Sequence, residues 1–222
     1  MQRVGNELNA EAHLSAPIKI AIVDDEASML RALARLLKSA GIEAFTFSSA
    51  REFFDDPIHQ QVDCAVTDMR MPGFDGLELQ EQLSRTLPHL SLVFITGHGD
   101  IQGSVKAMKG GAVDFLEKPV DGKTLLPAIR RAAERSRALK ASHKERMALE
   151  RRYADVTPRE REVFALVTSG LPNKHIAAVL GVSERTIKVH RARVMKKMRA
   201  ESLAHLVRIA QRLGVHTVAE RA

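Results

Sequence analysis

Five short apolar runs, set apart by stretches of helix length, occupy the first 135 residues and restrict the fold more than any other feature. They are Ile18 to Val23, Ala44 to Phe47, Cys64 to Thr67, Leu90 to Ile95 and Asp114 to Leu116, each of strand length. After the first run, Met29, Leu30, Leu33, Leu36 and Leu37 recur at helical spacing and Gly41 follows, so strand gives way to helix. Strands that alternate with helices are joined by crossover connections, which predicts an α/β domain built on a doubly wound, five-stranded parallel sheet.

In such sheets the functional groups gather outside the carboxyl ends of the strands. There the sequence places Asp24 and Asp25 after the first run, Asp68 after the third, Thr96 after the fourth, and Lys118 followed by Pro119 after the fifth. Three carboxylates at one sheet edge repel one another unless a hard cation joins them, and an all-oxygen set suits Mg²⁺. An ammonium and a hydroxyl opposite would neutralise a phosphoryl group, with Asp68 as its acceptor. A metal-dependent phosphatase of the haloacid-dehalogenase type also uses a strand-end Asp, but it carries a second Asp two residues on as general acid. Here that position is Arg70, so the site suits transfer from a good leaving group such as phosphohistidine.

These motifs, Val-Asp-Asp, Thr-Asp-Met-Arg-Met-Pro, Ile-Thr-Gly and Glu-Lys-Pro, make residues 17–135 resemble the receiver domain of two-component response regulators. The resemblance implies strand order 2-1-3-4-5. It implies Mg²⁺ held by Asp24, Asp25, Asp68 and the backbone carbonyl of Arg70, phosphorylation on Asp68, and Thr96 and Lys118 holding the phosphoryl oxygens. It also implies a cis bond between Lys118 and Pro119 and a switch aromatic at Phe115, a residue that reads equally as core. Pro127, inside the expected fifth helix, predicts a kink or a late helix start. His98, between Gly97 and Gly99, reads as an exposed loop residue.

Charge separates the two halves of the chain. Residues 17–135 hold 14 basic and 17 acidic side chains, whereas residues 136–222 hold 19 and 8, a net +11. A polyanionic partner for the second half follows, with a merely solvated basic surface as the alternative. Residues 128–157 contain neither Gly nor Pro and are densely charged, which predicts a helical linker over 136–155. Thr157-Pro158-Arg159-Glu160 then reads as a capping box with proline at the first helical position. Gly170 ends that helix, a short one spans about Asn173 to Leu180, and Ser183 caps a longer one to about Arg199. This is helix-turn-helix spacing. On the longer helix Ile187, Val194 and Met198 share one face, while Arg185, Lys188, Val189, Ala192, Lys196 and Arg199 share the opposite one, the layout of a recognition helix in a major groove. His190 lies at the edge of the apolar face and is expected to be packed and hydrogen-bonded.

The segments Thr-Pro-Arg-Glu-Arg-Glu-Val, Gly-Leu-Pro-Asn-Lys-His-Ile-Ala, Leu-Gly-Val-Ser and Thr-Ile-Lys-Val-His resemble the LuxR-type DNA-binding domain, and with the receiver ahead the chain is similar to FixJ/NarL-type regulators, closest to the FixJ type. That resemblance implies base contacts at Lys188, Val189 and Ala192 and phosphate contacts at Asn173, Lys174 and nearby basic residues such as Arg185 and Lys196. Ala192 offers only an apolar contact, such as to a thymine methyl. A fourth helix, about Ser202 to Leu213, would form a dimer surface. The expected organisation is a disordered tail (1–16), a receiver (17–135), a helical linker (136–155) and a LuxR-type helix-turn-helix domain (156–222). The expected partners are a sensor histidine kinase, duplex promoter DNA, RNA polymerase and, on activation, a second copy. No enzyme activity of its own is expected. A phosphotransfer module that docks a protein partner is the alternative from another class. No apolar run approaches the roughly 20 residues needed to cross a bilayer, and the single Cys64 cannot form an internal disulfide, so the expected compartment is the cytoplasm.

Overall fold

The computed structural model describes residues 17–97 and 101–215; His98 and the 1–16 tail lie outside the described residues. The chain divides into two compact units, Met1–Lys140 and Ala141–Ala222.

In the first unit, β1 (Lys19–Val23), β2 (Glu43–Phe47), β3 (Cys64–Asp68), β4 (Ser91–Thr96) and β5 (Asp114–Glu117) form one sheet in the order β2-β1-β3-β4-β5. All four pairings are parallel, with Val23 opposite Thr67, Asp68 opposite Ile95 and Thr96 opposite Glu117. The crossovers are α1 (Ala27–Ser39), α2 (Ala50–Asp55), α3 (Gly76–Thr86) and α4 (Ile101–Lys109), and α5 (Gly122–Ala154) follows β5. Period-two alternation divides the strand side chains between two cores. Ala21, Val23, Ala65 and Phe94 join Phe47, Phe53, Leu79 and Leu83 in one; Ile20, Ile22, Val66, Val93 and Ile95 join Leu33, Leu37, Leu125 and Ile129 in the other. A sheet buried on both faces explains why the strands read as continuous apolar runs. Each fully buried Phe or Ile contributes about 1.5–3 kcal/mol.

Helix α5 corrects the expectation of a late start at Pro127. Asp121, six residues earlier, caps the helix that starts at Gly122, its Oδ1 accepting from the Thr124 amide at 2.9 Å and its carbonyl accepting from the Leu125 amide at 3.0 Å. Proline then deprives only the carbonyl of Lys123, an exposed residue, of its intrahelical donor, and water can take that place. Farther along, the Ser136 hydroxyl accepts from the Ser91 amide at 2.7 Å, and the Arg137 guanidinium grips Asp63 at 2.8 and 2.7 Å. These contacts carry the first unit past residue 135.

The second unit contains α6 (Pro158–Thr168), α7 (Asn173–Leu180), α8 (Glu184–Met198) and α9 (Leu203–Leu213), together with the C-terminal turns of α5. Its core joins Leu149 and Val156 to Val163, Phe164, Ile176, Ile187, Val194, Met198, Leu206 and Ile209. Tyr153 packs at the edge of this core with its ring 5.6 Å from that of Phe164, and the Arg161 guanidinium lies 4.9 Å above it. Gly181 closes α7 at φ +65°, a left-handed conformation that needs glycine for the tight turn into α8.

Candidate phosphoacceptor site and nucleic-acid interface

Parallel strands end on one edge, so their C-terminal residues meet. Asp24 follows β1 directly, its amide bonded to the Phe47 carbonyl at 3.1 Å, and Asp68 is the last residue of the adjacent β3. Lys118 follows β5, where its amide is fixed to the Thr96 carbonyl at 2.7 Å and its bond to Pro119 is cis. The Lys118 ammonium reaches across the edge and donates to Asp68 Oδ2 at 2.6 Å and to Asp24 Oδ2 at 3.0 Å. The other Asp68 oxygen, Oδ1, accepts from the Arg70 amide at 3.1 Å. Asp24 is buried, Asp68 half-buried and Asp25 exposed, which grades the cluster from the sheet interior to solvent. Burial holds the Asp24 carboxyl above its usual range, with the Asp68 charge adding to the effect against the opposing pull of the Glu26 amide and Lys118. Burial would lower the Lys118 ammonium, but the hydrogen bonds and charges of Asp68 and Asp24 outweigh it and hold the group above its usual value.

One oxygen from each of Asp24, Asp25 and Asp68 lies within 4.8 Å of the others. Opposite oxygens around a Mg²⁺ ion stand about 4.2 Å apart, at about 2.1 Å from the metal, so this hard, all-oxygen set fits such an ion. Thr96 ends β4 on the same edge and is buried, but its hydroxyl donates to the Gly97 carbonyl at 3.2 Å and makes no direct bond to the three carboxylates. Phe115 is half-buried against the core that contains Phe94.

Gly76 is a residue that the sequence did not single out. A Cβ there would stand 2.4 Å from the Asp68 carbonyl oxygen and 2.9 Å from the Phe94 ring. Only glycine lets α3 begin this close to the end of β3. The same turn is held by the Asp75–Glu78 capping box and by the Gly76 amide on the Met69 carbonyl at 3.0 Å.

In the second unit α8 exposes Arg185, Lys188, Val189, Ala192 and Lys196, while Ile187, Val194 and Met198 are buried; Arg199, expected on the same face, is exposed but lies past the helix end in a left-handed conformation. Val189 is 46% exposed, an apolar side chain in the middle of a basic surface. Lys188 pairs with Glu184 at 3.4 Å, a contact between exposed groups that costs little to exchange. Lys174 is exposed on α7, whereas Asn173 Oδ1 accepts from Arg191 Nη1 at 3.1 Å, a bond that ties the start of α7 to α8. Arg193, on the flank of the basic face, is exposed too and was not among the expected contacts. His190 departs from the expectation of a hydrogen-bonded ring: its Nδ1 is buried without a hydrogen-bond partner.

The response regulator receiver domain family matches residues 20–130, and the luxR family of bacterial regulatory proteins matches residues 154–210. The chain belongs to the two-component response regulators. This regulator is 44% identical over 205 residues to nodulation protein W of Bradyrhizobium diazoefficiens, covering 91% of this chain and 90% of that one. It is 41% identical over 198 residues to the transcriptional regulatory protein FixJ of Azorhizobium caulinodans, covering 89% and 94%. Among solved structures, the response regulator StyR matches with a TM-score of 0.78 at 42% identity over 88% of this chain and 99% of that chain. Full-length FixJ from B. japonicum matches with a TM-score of 0.54 at 40% identity over 90% and 99%.

The regulator is thus a transcription factor whose receiver answers to a cognate sensor kinase and whose helix-turn-helix domain binds DNA. Its two families are those of DNA-binding transcriptional regulators. Among the described residues no helix is long and apolar enough to cross a membrane. A second feature of the regulator that the sequence leaves unread is the Glu160–Lys197 pair. Glu160 is 2% exposed, accepts from the Thr157 amide at 3.0 Å and receives Lys197 Nζ at 2.5 Å, which fastens α8 to the start of α6. Burial alone would raise this carboxyl, but Lys197 and Thr157 together hold it down to about 2.

Proposed function

We propose that Asp68 accepts a phosphoryl group from the phosphohistidine of a sensor histidine kinase, and that this modification drives a second copy and promoter DNA onto the regulator in the cytoplasm. The observation that carries the reading is the Lys118 ammonium held between Asp68 and Asp24 at 2.6 and 3.0 Å. An Asp68 carboxylate oxygen attacks phosphorus, the P–N bond breaks and the imidazole leaves with its electron pair, taking up a proton. Lys118 is already in place to follow the charge from the carboxylate to the phosphoryl oxygens, and such prepaid orientation is where phosphoryl transfer gains its rate. Asp24, Asp25, Asp68 and the Arg70 carbonyl would hold Mg²⁺, which when bound neutralises phosphoryl oxygens. Thr96 exchanges its bond to the Gly97 carbonyl for one to the phosphoryl group, and Phe115, half-buried, turns inward with it.

The dimer reading rests on α4, which leaves Ile101, Val105 and Met108 exposed at i, i+4 and i+7, with Ile101 at 77%. One helix-turn-helix domain offers a single recognition helix, so tight binding needs two copies on a two-fold operator. A tenfold gain in dimer population needs about 1.4 kcal/mol of differential stability, which a few charge-assisted hydrogen bonds supply. Sedimentation velocity with Mg²⁺ and beryllofluoride is expected to move the protein from monomer to dimer and to tighten operator binding in parallel. A protein that stays monomeric yet binds DNA more tightly would replace dimerisation with relief of contacts within the chain. RNA polymerase is the downstream partner in this reading.

Direct readout falls to Lys188, Val189 and Ala192, with backbone phosphate contacts from Asn173, Lys174, Arg185 and Lys196. Lys188→Ala is expected to cost about 1–3 kcal/mol at the cognate site and to relax preference at one base pair, whereas Lys174→Ala weakens all duplexes alike. Competition binding separates the two, and an identical uniform loss for both would make Lys188 a phosphate contact.

A further inference from the structure

The second unit has a groove of about 220 Å³ between the last turns of α5 and helix α9, on neither the phosphoacceptor edge nor the exposed basic face of α8. Glu145, Leu149 and Arg152, at i, i+4 and i+7, line one wall; on the other, Arg208 and Arg212 stand one turn apart with Ile209 beside them toward the core. The floor is a narrow apolar strip where the core residues Leu149 and Ile209 surface, 5% and 3% exposed. The rims are basic. Glu145 neutralises Arg212 through an ion pair that closes one end, while Arg152 and Arg208 have no carboxylate partner among the described residues. Helix α9 makes its principal packing contact with α6.

We propose that this groove docks an acidic amphipathic helix of a protein partner, its apolar side chains on the Leu149–Ile209 floor and its carboxylates on Arg152 and Arg208. Charge complementarity chooses the occupant. Two unneutralised guanidinium groups call for carboxylates or phosphates, and a concave apolar floor between two parallel rows suits a helix with an apolar face better than a sugar–phosphate chain. The closed end at Glu145–Arg212 limits how far that helix can extend. The surface would give the regulator a protein contact that leaves α8 free to stay on DNA.

The test uses the full-length protein and a labelled synthetic peptide of about fifteen residues, helical, with Leu along one face and Glu along its flanks. Fluorescence anisotropy is expected to show binding that Arg152→Glu with Arg208→Glu weakens at least tenfold, while operator affinity stays within about twofold. Ala148→Glu, which sets an acid into the groove, is expected to give the same loss and stands in if the double reversal fails to fold. A control peptide with Ser in place of Leu should bind at least tenfold more weakly; equal binding would reduce the groove to a patch of charge and overturn the proposal. Unchanged peptide binding in the variants would also overturn it. So would a loss of operator affinity matching that of Lys188→Ala, because the arginines would then be DNA backbone contacts.

Discussion

Asp68→Asn is expected to yield a folded protein that takes up no phosphoryl group from acetyl phosphate and Mg²⁺, with labelling at background by intact mass. The amide matches the carboxylate in shape but has no nucleophilic oxygen at neutral pH. Folding should not suffer, because the substitution removes one carboxylate from a cluster of three, two of which share a single ammonium. Lys118 keeps its 3.0 Å bond to Asp24, and the lost like-charge repulsion makes the variant as stable as the parent or more so, by about 1 kcal/mol. A variant that still labels fully, with an acid-labile adduct, would move the acceptor to another residue. A variant that unfolds would make Asp68 a structural group first.

The second large effect is expected at Glu160. Glu160→Ala removes the acceptor for the Thr157 amide and leaves Lys197 without its counter-charge, a loss of about 2–4 kcal/mol. Against total stabilities of about 5–15 kcal/mol, a unit this small should lose much of its margin, and operator binding with it. The pH dependence has a defined sign. The folded carboxyl sits at about 2 against 4.5 unfolded, so its contribution is complete above 4.5 and disappears as pH falls toward 2. Urea titrations between pH 7 and pH 2 are therefore expected to find the gap between parent and variant wide at neutral pH and closing through that window. A gap independent of pH would assign the loss to packing.

The sheet and its functional edge were legible because the signal is local. A strand buried on both faces has to be an apolar run, and the residue that ends it is polar only if something outside the sheet requires it, as at Asp68 and Lys118. The helix-turn-helix elements were legible for a similar reason: Thr157, Ser183 and Gly181 mark their termini through single residues. What escaped depends on the distance between chain segments. Gly76 reads as an ordinary turn glycine until the Asp68 carbonyl is found where its Cβ would be. Glu160 reads as half of a capping box, and its partner Lys197 lies 37 residues away. Asn173 reads as a phosphate contact, and only the fold reveals that its Oδ1 also accepts from Arg191, 18 residues on, which leaves Nδ2 as the group that can donate to a phosphate. Pro127 misled because the capping strength of Asp121, six residues earlier, outweighs one missing donor.

The chain has no tryptophan and a single tyrosine, and that tyrosine is Tyr153, against Phe164 at the edge of the second core. Emission near 305 nm therefore originates in one place only, and the Arg161 guanidinium over the ring makes it sensitive to the join between α5 and α6. The receiver is optically silent in this channel, since its aromatics are phenylalanines and histidines. Without any label, an unfolding or ligand titration read by tyrosine reports the DNA-binding unit alone, and the difference from a whole-chain signal such as circular dichroism reports the receiver.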